Sequence, residues 1–161
     1  LTLVPILTMP AGDVTHPVPD LTGYITEGQI VLSPELHGAG IYPPVDALNS
    51  LSRLMRKGTG ANRTRADHPA LAAQLIAALA RSQQSRDLAD LVGATALTTT
   101  DRTYLAFADA FRTSFVAQGV TEARSLEATL ARAWDVLSTL PERELTMIPA
   151  ADVAARYVHR A

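Results

Sequence analysis

The spacing of apolar residues differs between the first third of the chain and the rest. Residues 1–9 are apolar on both alternating faces, which predicts a strand covered on both sides, although Pro5 favours an edge or a bulge. Residues 10–28 are rich in Pro, Gly, Asp and Thr and predict a loop. A second short strand is expected at residues 29–32.

A short helix is predicted directly after this second strand. Ser33 can cap its amino terminus, Pro34 suits the first helical position, and Gly38 and Gly40 should end it. Residues 1–57 are therefore expected to be an α/β fragment that contains too little sheet to form a core alone.

Beyond Gly58 and Gly60, which we interpret as a hinge, the apolar residues recur at helical spacing. The longest predicted helix is capped by Thr64, buries Ile76 on its apolar face and has a break near residues 83–85. The predicted helices occupy residues 64–92, 99–118, 125–140, 141–146 and 150–159. The expected fold class is thus an α/β fragment followed by an all-α helical bundle, with the helical domain at residues 58–161.

Composition narrows the possible functions. With 161 residues and 47% hydrophobic content, the chain can form one sizeable core. A formal net charge of -2 gives no electrostatic reason to bind nucleic acid or an anionic membrane surface. No apolar run approaches the roughly 20 residues that cross a bilayer. The absence of cysteine excludes disulfides, and the scattered histidines predict no metal site.

The first residue is also informative. Leu1 leads directly into an apolar run, without methionine, a basic segment or a cleavage site before it. We therefore expect the chain to be the carboxyl-terminal part of something longer.

Arg53 is the side chain that most needs explanation. Its neighbours Leu51, Leu54 and Met55 indicate a segment that lies against a core. A buried or half-buried guanidinium requires an anion. That anion is either a protein carboxylate, for which Asp46 is the candidate, or a phosphate.

Other candidate chemistry is weaker. The glycine-containing segment 58–64 lacks the lysine of a phosphate-binding loop, so the chain alone should not cradle a nucleotide. Asp13 and Asp20 bracket His16, which could form a catalytic dyad with one of them, but such residues more commonly serve as turn and cap residues in a loop.

Two runs carry a resemblance to a known family. Residues 43–52, PPVDALNSLS, fit the ATP synthase α/β signature of proline, small residue, aliphatic, Asp/Asn/His, three free positions and Ser-x-Ser. Residues 13–30, DVTHPVPDLTGYITEGQI, closely resemble the corresponding loop of the non-catalytic B subunit of V-type and A-type rotary ATPases. The resemblance implies the end of a RecA-like nucleotide-binding domain followed by the family's helical domain.

The resemblance also implies roles for individual residues. Arg53 would be an arginine finger acting in trans on the nucleotide of the neighbouring catalytic A subunit. Tyr42 and, less securely, Phe115 match positions near an adenine ring, and Ser50 and Ser52 would hold the turn that aims the arginine. No cofactor is implied in this chain alone, whereas ATP or ADP with Mg would lie at the interface with the A subunit.

The implied partners are catalytic A subunits on both sides of an alternating hexameric ring, and the central rotor stalk subunits. The ring would couple ATP synthesis or hydrolysis to proton or sodium transport. The chain would not be an enzyme on its own, and would be cytoplasmic and peripheral to the membrane, without inserting into it. The alternatives are a stand-alone helical interaction module, a remnant without nucleotide chemistry, or a flagellar or secretion-type ATPase fragment.

Overall fold

A two-stranded antiparallel sheet precedes a helical bundle in the computed structural model, which describes residues 2–13 and 15–158. The elements are α1 (Pro17–Ile25), β1 (Gly28–Leu32), α2 (Pro34–Gly38), β2 (Val45–Ser52), α3 (Met55–Gly58), α4 (His68–Val92), α5 (Thr99–Ala110), α6 (Leu126–Leu137) and α7 (Ala150–Arg156). Short 3-10 turns lie at Pro10–Gly12, Ala94–Ala96 and Glu142–Glu144, and a π-helical stretch at Phe111–Val116. The expected fold class is confirmed.

The two strands pair with an irregular register. Gly28 lies opposite Ser52, and Leu32 lies opposite Val45. Between these ends, β2 carries residues 47–50 where β1 carries only Ile30, so β2 bulges away from its partner. The strand predicted at residues 29–32 is confirmed as β1.

The strand predicted at residues 1–9 is wrong for the residues that the structure describes. Residues 2–9 form no strand, and the side chains of Leu3 and Ile6 are exposed by 82% and 93%. Within the described part of the chain no strand pairs with them, so their apolar pattern has no ladder to join. Leu1 lies outside the described residues.

The loop predicted at residues 10–28 is also wrong in part, because it contains α1. Pro17 occupies the first helical turn, where a missing N–H group costs little. The Nδ1 atom of His16 accepts a hydrogen bond from the Val18 N–H and caps the helix. The proline content of this segment therefore marks a helix start rather than a loop.

The short helix α2 follows its sequence signals. The Oγ atom of Ser33 accepts a hydrogen bond from the Leu36 N–H at 3.3 Å, and Pro34 takes the first helical position. The helix ends at Gly38, as predicted.

The long helix α4 differs from its prediction in three ways. It runs without a break through residues 83–85. Ser85 is buried there, and its hydroxyl is satisfied by donating to the carboxylate of Asp101 at 2.9 Å. Thr64 is not its cap, since its hydroxyl accepts instead from the Gly60 N–H at 2.9 Å. Ile76 is 46% exposed and does not belong to the buried face.

The starts of α5 and α6 are confirmed. Thr98 and Asp101 form a reciprocal capping box at the start of α5. Ser125 caps α6 by accepting from the Ala128 N–H at 3.1 Å. The second helix was expected to continue to residue 118, but it passes into the π-helical stretch and ends at Val116. The final helix ends at Arg156, and His159 lies outside the described residues.

The apolar core lies in the helical bundle. Leu71, Phe107 and Leu137 are fully buried and connect α4, α5 and α6. Among the described residues up to position 58, only Pro19 is buried, while Ile41 and Ala47 pack against the bundle core from outside. The sheet is therefore attached to the bundle without having a core of its own.

Gln74 and Tyr104 hold the segment that joins α6 to α7. The side-chain amide of Gln74 donates to the Glu144 carbonyl at 3.1 Å and accepts from the Met147 N–H at 2.9 Å. The hydroxyl of Tyr104 donates to the Glu144 carboxylate at 3.0 Å, and burial with this hydrogen bond raises the pKa of Tyr104 to about 12. This segment is thus fixed by polar contacts from α4 and α5.

The carboxylate of Asp67 connects three parts of the bundle. It accepts from Arg65 at 2.6 and 2.8 Å and from the indole N–H of Trp134 at 2.7 Å, and Arg156 lies 3.5 Å away. Burial alone would raise the pKa of Asp67, but the hydrogen bonds from Arg65 and Trp134 outweigh it and hold that pKa below its usual value. The start of α4 is thereby joined to α6 and α7.

Replacement of Asp67 by Asn should destabilise the chain by about 2–3 kcal/mol, because it removes charged hydrogen bonds from Arg65 and Trp134. Urea unfolding followed by the fluorescence of Trp134, the single tryptophan, measures this. Because the folded pKa is depressed, the stabilisation is fully present above about pH 5 and declines as the pH falls through about 3.9 toward the folded value.

The matched control is Asp90→Asn, which removes a carboxylate from the exposed face of α4 and should change stability by less than about 0.5 kcal/mol. If the wild type and the Asp67→Asn variant unfold at the same urea concentration at pH 7, the Asp67 carboxylate does not have the stabilising role given to it here.

Candidate functional site

Arg53 lies directly after β2 and is exposed. Its backbone N–H donates to the Glu27 carbonyl at 2.8 Å, and its guanidinium donates through Nη1 to the Thr26 carbonyl. These acceptors lie between α1 and β1. Arg53 directly follows residues 43–52, so the structure brings the end of this run close to residues 13–30, the other run that carries the resemblance.

The expectation that Arg53 lies against a core is wrong. Leu51, Leu54 and Met55 are exposed by 44%, 45% and 36%. Their apolar character indicated burial, but no described element covers this side of the sheet. The guanidinium accordingly lies at the surface.

Asp46 does not pair with Arg53. Its carboxylate accepts from the backbone N–H groups of Leu48 and Asn49, both at 3.1 Å, and from the Asn49 side chain at 2.7 Å. The ion pairs found among the described residues do not include Arg53. Of the two anions considered for Arg53, the local carboxylate is therefore not used.

Ser50 closes the bulge of β2. Its hydroxyl donates to the Asp46 carbonyl at 2.6 Å and accepts from the Val31 N–H at 2.9 Å. The Ser50 hydroxyl thus links β1 to β2 where the bulge interrupts their main-chain hydrogen bonds. Ser52 lies opposite Gly28, immediately before Arg53.

Gly28 permits the close approach of the strands, and sequence reasoning missed this role. A Cβ atom at this position would lie 2.7 Å from the Leu51 carbonyl oxygen and 3.2 Å from the Ser52 Cα atom. Cβ atoms are essentially never found as close as 2.7 Å to a backbone oxygen. A glycine directly before a predicted strand is a signal of close backbone approach that could have identified this role.

Tyr42 and Phe115 lie on segments that contact each other. The Tyr42 carbonyl accepts from the Gln118 N–H at 2.6 Å, and its half-exposed ring carries a hydroxyl 2.8 Å from Nδ1 of His37. Phe115 lies in the π-helical stretch and stacks on Phe111 with ring centroids 5.0 Å apart. The loop after this stretch thus reaches the segment before β2.

Asp13 and His16 have local structural roles. The Asp13 carboxylate accepts from the backbone N–H and the hydroxyl of Thr15 at 2.8 and 2.6 Å. These hydrogen bonds hold the pKa of Asp13 below its usual value. Because His16 caps α1, the turn-and-cap alternative describes these residues, and the dyad does not.

No helix within residues 2–13 and 15–158 has both the length and the apolar character that crossing a membrane demands.

Comparison with known proteins settles the family. Residues 57–158 match the family model for the C-terminal domain of V and A type ATP synthase. The chain belongs to this V- and A-type ATP synthase family. Residues 1–52 of this ATP synthase chain also match the nucleotide-binding domain of the ATP synthase alpha/beta family.

Individual relatives of this V/A-type ATP synthase chain are similar over most of its length. It is 59% identical over 148 residues to the B subunit of an A-type ATP synthase from Methanopyrus kandleri, covering 92% of this chain and 15% of the relative. It is 56% identical over 154 residues to a V-type ATP synthase beta chain from Nitrosococcus oceani, covering 96% of this chain and 32% of that relative. The resemblance to the B subunit is therefore confirmed.

A solved structure supports the same relationship. The ATP synthase subunit NeqB from Nanoarcheaum equitans superposes with a TM-score of 0.76 at 45% identity, covering 85% of this chain and 34% of that one. This V/A-type ATP synthase chain thus spans between about a seventh and a third of the length of these relatives.

Gly28→Ala should separate β1 from β2 at Ser52 and weaken the sheet locally by about 1–3 kcal/mol, because the added methyl group meets backbone atoms. Hydrogen exchange of the Arg53 amide, which donates to Glu27, measures the loss. Gly38→Ala is the control, since a Cβ atom there meets nothing within 4 Å. Equal exchange of the Arg53 amide in both variants would refute the steric argument.

Proposed function

We propose that the chain is the carboxyl-terminal portion of the non-catalytic B subunit of a V/A-type rotary ATPase. Residues 1–57 are the end of its RecA-like nucleotide-binding domain, and residues 58–161 are its helical domain. The family membership and the identity of 56–59% to named B and beta subunits support this proposal. The chain is not an enzyme on its own but part of a complex.

Arg53 acts as an arginine finger on a nucleotide held in the adjacent catalytic A subunit. The observation that carries this role is its position, where main-chain contacts fix the backbone and the guanidinium is exposed without a carboxylate among the described residues. Phosphoryl transfer spreads negative charge over several oxygens, and a planar, permanently charged fork can meet two of them at once. An arginine that acts on a neighbouring subunit must have an exposed guanidinium, and Arg53 is exposed.

Ser50 and Ser52 aim this arginine. The Ser50 hydroxyl bridges the bulge of β2 to β1, and Ser52 joins the paired end of the strand to Arg53. Tyr42 and Phe115 place aromatic rings near the adenine at the same interface. ATP or ADP with Mg is held there chiefly by the A subunit, because this sequence contains no phosphate-binding loop.

The role of the chain in the whole complex follows from its place in the ring of A and B subunits. A and B subunits alternate around a central rotor stalk, and the helical domain contacts the rotor. The complex couples ATP synthesis or hydrolysis to proton or sodium transport, and this chain is peripheral to the membrane through that complex.

Arg53→Ala, made in the complete B subunit and assembled with catalytic A subunits, should lower the rate of ATP hydrolysis by roughly 10³-fold or more, the range measured for arginine fingers. Arg53→Lys should restore little, because an ammonium group lacks the planar fork. The measurement is steady-state hydrolysis by rings of verified subunit composition.

The control is Arg143→Ala, which removes an exposed arginine of the helical domain and should leave the rate within about twofold. Normal hydrolysis by assembled Arg53→Ala rings would reject the arginine-finger role and favour an interaction module without nucleotide chemistry.

The isolated chain should not bind Mg-ATP tightly, because the phosphates have no loop to hold them. Calorimetric titration should give a dissociation constant no tighter than about 1 mM. The same titration in the presence of the A subunit serves as the positive control. A micromolar constant for the chain alone would mean that it contains a complete nucleotide site.

A further inference from the structure

The guanidinium of Arg124 is buried outside any helix. Its side chain is only 5% exposed, and it lies between the π-helical stretch and α6. A buried guanidinium destabilises a protein unless acceptors surround it. The positions of its acceptors therefore indicate which segments Arg124 holds in place.

Three acceptors surround Arg124, and two of them belong to the main chain. Nη1 donates to the Phe115 carbonyl at 2.6 Å, and Nη2 donates to the Ala117 carbonyl at 3.2 Å. Nε donates to the Glu122 carboxylate at 3.0 Å, which balances the charge. Both carbonyls lie at the end of the π-helical stretch, where helical donors are no longer available.

The fixed segment continues into the contact with Tyr42. The Gln118 N–H, one residue after Ala117, donates to the Tyr42 carbonyl at 2.6 Å. The next N–H, that of Gly119, donates to the second oxygen of Glu122 at 3.1 Å. Arg124 and Glu122 thus hold the residues on both sides of Gln118, whose N–H donates to the Tyr42 carbonyl.

We propose that Arg124 is a positioning residue that places Phe115 and Tyr42 relative to each other by fixing the main chain of residues 115–119. Phe115 receives its hydrogen bond directly, and Tyr42 is placed through Gln118. The proposal rests on the proposed function only in assigning these two rings to a nucleotide. Its structural part concerns this chain alone.

Amide hydrogen exchange in the 161-residue chain tests the structural part. In Arg124→Gln, exchange at Gln118 should accelerate by about tenfold or more, as expected when hydrogen bonds from a charged group are lost. Exchange at Leu137, in the buried centre of the bundle, should remain unchanged. Arg124→Lys should give an intermediate rate at Gln118, because one ammonium group cannot span both carbonyls.

Arg132→Gln is the matched control. Arg132 lies 3.6 Å from the same Glu122 carboxylate and donates to the Ser114 carbonyl at 3.1 Å, but its side chain is 45% exposed. This variant removes one positive charge beside Glu122 but leaves the three hydrogen bonds donated by Arg124 in place. Exchange at Gln118 should stay within about threefold of the wild type.

Two results of the exchange experiment would overturn the proposal. One is unchanged exchange at Gln118 in a folded Arg124→Gln chain. The other is an equal acceleration of amide exchange at Gln118 and Leu137, which would mean that Arg124 stabilises the whole bundle rather than the main chain of residues 115–119. If Arg124→Gln does not fold, the same two results are decisive in Arg124→Lys.

The functional part is tested by steady-state kinetics in rings that contain the complete B subunit. Because adenine contacts supply binding rather than transition-state charge, Arg124→Gln should raise the KM for ATP by about threefold to tenfold with kcat within about twofold. An unchanged KM together with faster exchange at Gln118 would overturn the link to the nucleotide. Failure of the arginine-finger proposal is separate, since it appears as normal kcat in Arg53→Ala rings.

Discussion

The helical domain depends on one buried carboxylate. Asp67 neutralises Arg65, accepts from Trp134 of α6 and lies 3.5 Å from Arg156 of α7. Side chains of α4, α6 and α7 also contribute to the apolar core, together with α5 and the π-helical stretch, so the ion cluster and the core constrain the same helices. A buried ion pair gives little net stability over an apolar pair of the same shape, but it tolerates few alternative arrangements. The Asp67 carboxylate joins the start of α4 to α6 and α7 at a single point.

The candidate site is organised by main-chain contacts rather than by a core. Arg53 is held by carbonyls from the segment between α1 and β1, and that segment approaches β2 closely because residue 28 has no side chain. The Tyr42 segment is joined to the bundle by the Gln118 N–H, which donates to the Tyr42 carbonyl, and by Ile41, which packs against the apolar core. Backbone hydrogen bonds of this kind place a side chain accurately while leaving its functional group exposed. The position of Arg53 thus depends on main-chain groups of the segment between α1 and β1.

Local patterns predicted the starts of α2, α5 and α6, but not those of α1 and α4, and they did not predict what covers the apolar segments. The caps at Ser33 and Ser125 act within one helical turn, so neighbouring residues are enough to identify them. Residues 2–9 and the neighbours of Arg53 carry an apolar pattern that normally indicates burial, yet burial requires a second surface, which no pattern reports. The contacts of Arg124 were missed for a related reason, since a buried arginine outside a helix has no sequence periodicity to mark it.

The uneven distribution of buried side chains has a consequence for motion. Up to position 58, the described residues contribute only Pro19 to the buried set, so hydrogen bonds rather than apolar area hold β1 and β2 together. Segments with few buried contacts open at a lower free energy than the core they adjoin. The sheet is therefore expected to open locally at a lower free energy than the helical bundle. Arg53 follows this sheet directly, so local opening of the sheet can move it while the helical core stays folded.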